Sequence, residues 1–193
     1  MNIAMISNAT SVQLGPTVDI TTISGAINAD FGLVAIDTET EEEVPSGGFY
    51  QIATRSRRAP VRLEVVDAPV DSTLVLSSKN TMGPLEVYLH PTYQGMFLSE
   101  ALVGGTLLGD LGYAEDPSGE GRKRNLVREE WNIPPGIHNF MSGEVRWGDR
   151  PETSYPDGPY SPIFGSVQVK SMIGHPLILL HLSNSNATSI SAN

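Results

Sequence analysis

Three stretches of the chain share one layout, and that layout limits what it can fold into. Ser56-Arg-Arg-Ala-Pro-Val-Arg-Leu63, Asn80-Thr-Met-Gly-Pro-Leu-Glu-Val87 and Ser171-Met-Ile-Gly-His-Pro-Leu-Ile-Leu179 each set a small or polar turn before a proline and an alternating apolar segment. Alternation sends apolar side chains to one sheet face and polar ones to the other. Proline at the first strand position removes no ladder bond that a neighbour needs. Ser24-Gly-Ala-Ile27 and Gly104-Gly-Thr-Leu107 read as copies of the same turn unit without the proline. From Pro60 to Pro84 is 24 residues and from Pro84 to Thr106 is 22, the spacing of a strand-turn-strand-turn repeat. One such unit cannot cover its own apolar face, whereas stacking the next beside it does.

The expected fold is therefore all-β: a repeat-built β-solenoid-like stack or a β-sandwich, with one long irregular insertion. Periodicity alone does not separate stack from sandwich. The 193 residues suit a single β domain over 1–182, with a polar tail at 183–193. Residues 1–50 read as N-terminal strands that either cap the domain or are exchanged with a neighbour. The insertion covers 112–164. In it, Arg124 to Trp131 is readable as a short helix or a strand, and the prolines at 134 and 135 end it. A chain of this length buries roughly two-thirds of its surface without a metal or disulfide, and there is no Cys.

Charge narrows the partners. The formal net charge is −10, which argues against a nucleic-acid partner, since that affinity rests on neutralising phosphates. Residues 1–54 hold seven carboxylates and no Lys or Arg, while Arg55, Arg57, Arg58 and Arg62 follow at once. Arg122, Lys123, Arg124 and Arg128 form a second basic group. These read as solvated loops, or as an acidic end meeting a basic belt on a neighbouring copy. No segment has the ~20 apolar residues of a membrane span. The first residues lack the pattern of a secretory signal. The expectation is a cytoplasmic protein if the chain is complete, and a surface or secreted one if a signal was removed.

Few residues suggest chemistry. His90, His138, His175 and His181 show no metal-ligand spacing. Nucleophile-elbow and phosphate-loop motifs are absent. Glu64 and Glu86 can fall on adjacent strands as paired acids do in polysaccharide-cleaving enzymes, but cross-strand charge pairing on a wet face explains them equally. No catalytic residue, metal ligand or cofactor is expected. The best ligand candidates are the aromatic-rich set Trp147, Arg146, Asp149, Tyr155 and Tyr160, with His90 and Tyr93 beside a strand end. An aromatic platform among polar groups is what a glycan needs; a plug for the core is the competing reading of Trp147.

From about Thr54 to Leu180 the order of blocks resembles an uncharacterised, adhesin-like β-rich domain family found in many fungal proteins. The turn-and-proline units carry the resemblance, together with His90-Pro-Thr-Tyr-Gln-Gly-Met-Phe97, Asp116-Pro-Ser-Gly-Glu-Gly-Arg-Lys-Arg124, Gly143-Glu-Val-Arg-Trp-Gly148 and Gly165-Ser-Val-Gln-Val169. It implies a fold and no activity. The expected function is a non-catalytic structural or interaction protein that self-assembles into homo-oligomers through strand edges. A carbohydrate-binding module with a glycan partner is the alternative, and a carbohydrate-active enzyme ranks below it.

Overall fold

The computed structural model describes residues 1–10, 15–110, 115–133, 138–149 and 165–180, and these are all β-strand and turn. Within them, fourteen strands follow in chain order: β1 Asn2–Asn8, β2 Thr17–Thr22, β3 Ile27–Ile36, β4 Glu43–Val44, β5 Phe49–Ser56, β6 Val61–Asp67, β7 Thr73–Met82, β8 Leu85–Leu89, β9 Gly95–Val103, β10 Leu107–Asp110, β11 Arg124–Ile133, β12 His138–Trp147, β13 Gly165–Ile173 and β14 Pro176–Leu180. They form two sheets. Sheet 1 runs β1-β3-β6-β8-β14-β10, with β4 against β3, and sheet 2 runs β11-β12-β9-β13-β7-β5-β2. Both are parallel except at β4 and at the β11–β12 hairpin, which joins β9 antiparallel.

The expected all-β class holds, and the topology has features of both alternatives. Two sheets face each other as in a sandwich. The described strands nevertheless pass from sheet 2 to sheet 1 five times, in the pairs β2–β3, β5–β6, β7–β8, β9–β10 and β13–β14. Each pair is one coil. Alternation decides what lies between the sheets. Phe31, Leu63, Val87 and Ile178 point in from sheet 1, and Ile52, Leu76, Val169 and Phe97 from sheet 2, each at most 2% exposed. Each such side chain contributes ~1.5–3 kcal/mol on burial. Parallel sheets are usually covered on both faces; here the outer faces remain half exposed, as in the alternating pattern of β7 and β13.

The turn-and-proline units are the corners between the sheets. Their first residues stack: Ser56 is in register with Asn80, and Asn80 with Ser171. All three are buried, on the inner face of sheet 2. Ser56 Oγ donates to Ala59 O (2.9 Å), closing its own turn. Asn80 Nδ2 donates to Ala59 O (3.0 Å), Gly83 O (3.3 Å) and Pro84 O (3.2 Å). The prolines accept in turn: Pro84 O takes the Val61 N–H and Pro60 O the Ile27 N–H, both at 3.0 Å. Gly83, Gly174 and Gly104 stack in the same corners with φ of +120°, +138° and +121°. A Cβ on Gly104 would lie 2.2 Å from Gly174 O, and one on Gly174 2.9 Å from Gly83 O. Only glycine lets the turns approach this closely.

The order of coils departs from the expected succession of neighbours. The last coil among the described residues, β13–β14, lies between β7–β8 and β9–β10 in both sheets. Within 112–164, residues 124–133 form a strand rather than a helix, and with β12 they make a ten-residue-per-arm hairpin where irregular chain was expected. Within the chain, β1 pairs with β3, β2 with β5 and β3 with β6.

Candidate functional site

Trp147 is hydrogen-bonded to the turn that carries two other ligand candidates, His90 and Tyr93. His90 and Tyr93 belong to the turn between β8 and β9, and Arg146 and Trp147 end β12. The Trp147 indole N–H donates to Pro91 O (3.0 Å), and its backbone N–H to Gln94 Oε1 (3.1 Å). Gln94 Nε2 then donates to Asp71 Oδ1 (3.2 Å), tying the hairpin to the start of β7. Trp147 is only 5% exposed, and the Arg124 guanidinium lies 5.7 Å from its ring. The ring is part of the packing and is not an open platform for a sugar. Tyr93 is buried in the β8–β9 turn; its hydroxyl donates to Met96 O (2.5 Å), and burial pushes the phenol well above its ordinary pKa. His90 Nδ1 pairs with Thr92 Oγ1 at 2.8 Å. The recess beside them, lined by Leu33, Val65, Leu74, His90 and Tyr93 among others, holds about 10 Å³, space for no more than one water.

Arg146 pairs with Glu144 (3.0 Å) on the outer face, and Asp149 is exposed beyond the strand end. Tyr155 and Tyr160 lie outside the described residues. The loop before β11 is organised by Asp116, whose side chain is almost wholly covered. It accepts hydrogen bonds from Arg122 Nε (2.9 Å), Arg122 N (2.9 Å) and Ser118 Oγ (2.8 Å). Hydrogen bonding from Arg122, more than offsetting desolvation, holds its carboxyl well below the usual range. The same loop meets the hairpin end, where Gly148 N donates to Lys123 O (2.8 Å) and Asn125 Nδ2 to Gly148 O (2.7 Å).

The acids considered as a pair are separately engaged on the outer face of sheet 1. Arg62 binds Glu64 at 2.6 Å, and Tyr88 donates to Glu86 at 3.1 Å, while the guanidinium of Arg62 stacks 4.7 Å over the Tyr88 ring. These contacts lie on a wet surface, and the stacking of Arg62 on Tyr88 joins neighbouring strands. Among the described residues no group of three or more His, Asp or Glu could hold a metal ion, and no helix is long and apolar enough to cross a membrane.

The sheet edges offer more. Strand edges present unpaired N–H and C=O groups, which proteins blunt with charge, proline or short length. β10 has four residues. β2 carries Asp19 at its centre, and β11 carries the exposed Arg128, Glu129 and Glu130. β1, Asn-Ile-Ala-Met-Ile-Ser-Asn, has seven residues with neither charge nor proline. Among the described residues its one strand partner is β3. Met1 O accepts from Asp30 N and Ala9 N donates to Ile36 O, so the odd-numbered residues face β3. Asn2, Ala4, Ile6 and Asn8 turn their backbone groups away. Low charge across residues 1–36 is the sequence signal for this edge; which residues face outward follows only from register.

Comparison with known proteins adds no relative: no family model matches the chain, and no curated protein or solved structure matches it significantly.

Proposed function

We propose that the chain is a non-catalytic interaction module that self-associates through the open edge of β1. The observation that carries this reading is the contrast between edges. Among the described strands, three of the four edges are blunted by charge or shortness, and β1 is not. An uncharged edge is a template for another strand whatever its side chains are. Two copies related by a two-fold axis would lay β1 against β1 and join two first sheets into one.

The test uses proline. Ile6 directs its N–H away from β3, so Ile6→Pro removes an edge donor and no β1–β3 bond. Light scattering on a size-exclusion column, over a concentration series, should show dimer or larger species for the wild type and monomer for Ile6→Pro. A wild-type monomer at every concentration, or an Ile6→Pro variant that associates equally, contradicts the proposal.

A further inference from the structure

We propose that the corner ridge where sheet 2 passes the chain to sheet 1 docks on an anionic phospholipid bilayer. Register builds the ridge from residues far apart in sequence. On the outer face of sheet 2, Arg55 lies beside Lys79 and Lys79 beside Lys170. Arg57 and Arg58 are exposed in the turn that follows β5. Five of the chain's twelve basic residues thus gather on one corner of a protein whose net charge is −10. Among the described residues only Lys170 has an acidic partner there, Glu100 at 2.8 Å, which also binds His138 at 2.9 Å. Like charges directly opposite one another destabilise a sheet, so folding alone does not favour this row.

Apolar residues lie next to the cations. Ile173 is in register with Met82 on one side and Val103 on the other. With Leu102 and Met172 these side chains are 40% to 50% exposed. At the ~4.8 Å strand spacing, the three-strand row spans about 10 Å. A contiguous apolar ridge bordered by cations marks an interaction surface.

Two occupants carry negative charge. One is the acidic turn Asp37-Thr-Glu-Thr-Glu-Glu-Glu43 of a second copy, which follows β3 at the opposite rim. It contains no apolar residue, so it would neutralise the cations and leave the ridge in water. An anionic bilayer meets both requirements: headgroups attract Lys and Arg within a Debye length, and the boundary with the acyl chains takes Met, Ile, Leu and Val.

The experiment is co-sedimentation of the full chain with vesicles of phosphatidylcholine alone and of phosphatidylcholine with phosphatidylserine, at low and physiological salt. Binding to the phosphatidylserine vesicles only, weakened by salt, is expected. Arg57→Glu with Arg58→Glu should abolish it, and Arg57→Gln with Arg58→Gln should weaken it. Met82→Ser with Ile173→Ser should lower affinity roughly tenfold, through lost apolar burial. Circular dichroism of each variant should match the wild type, since all four residues are exposed. Ile6→Pro should bind vesicles normally, which separates this surface from the β1 edge. Absent phosphatidylserine binding, or binding unchanged in either the charge or the apolar variants, overturns the proposal. So does a salt-sensitive oligomer that charge reversal dissolves while wild type ignores vesicles, because a second copy then takes the corner.

Discussion

Asn80 donates its side-chain amide to the carbonyl oxygen of Ala59, 3.0 Å away in the corner of the preceding coil. The same nitrogen reaches Gly83 O and Pro84 O in its own corner. One buried side chain therefore ties two successive corners together. Removing it takes this donor from all three carbonyls; Ala59 O keeps Ser56 Oγ and Pro84 O keeps the Val61 N–H, while Gly83 O loses its side-chain donor, and an unsatisfied buried acceptor costs about 1–3 kcal/mol. Asn80→Ala should lower the unfolding free energy by ~2–3 kcal/mol in urea titration, with an unchanged slope. The exposed neighbour Lys79→Ala should change it by less than about 0.5 kcal/mol.

The glycine corners predict a graded response. Gly104 and Gly119 both have positive φ, +121° and +75°. A Cβ on Gly104 meets Gly174 O at 2.2 Å, while one on Gly119 meets nothing within 4 Å. Gly119→Ala should cost only the conformational strain, about 1–2 kcal/mol. Gly104→Ala adds a backbone collision between stacked coils and should lower the melting temperature clearly further. Equal shifts in thermal denaturation would mean that the corners do not stack as described.

Trp147 should behave as a core residue. Trp147→Ala should cost about 3–5 kcal/mol. Trp147→Phe keeps much of the packing and loses the bond to Pro91 O, and should cost about 1–2 kcal/mol. Chemical denaturation gives both values. A Trp147→Ala variant as stable as the wild type would point instead to an exposed ring.

Acid should act through Asp116. Its carboxyl titrates below the ordinary carboxylate range because of its bonds with Arg122 and Ser118. A group with a depressed folded pKa adds stability above its unfolded pKa of about 4, and that stability is lost as pH falls toward the folded value. Between pH 5 and 2 the wild type should therefore lose more stability than Asp116→Asn, which has no charge to remove. Parallel pH profiles in thermal melts would contradict this assignment.

Much of the fold was legible because its signal is local. The turns beginning at Ser56, Asn80 and Ser171 mark three corners, and alternation in Val61–Asp67 and Leu85–Leu89 identifies inward residues. What escaped is non-local. Nothing near Gly165 says that β13 lies between β7 and β9 instead of outside β9. The aromatic character of Trp147 suits a sugar platform as well as a plug. The choice depends on Pro91 and Gln94, 56 and 53 residues away. The Arg55–Lys79–Lys170 row was hidden likewise, since only register brings Lys170 beside the arginine-rich turn. The unblunted edge of β1 was half visible, as a stretch without charge.

Residue-resolved hydrogen exchange at the β1 edge tests the self-association claim most directly. The Met5 amide faces β3 and should be protected at every protein concentration. The Ala4 and Ile6 amides face away and should exchange quickly when dilute, then slow as concentration rises and a second strand covers them. Fast exchange at Ala4 and Ile6 up to the highest concentration reached would contradict the account.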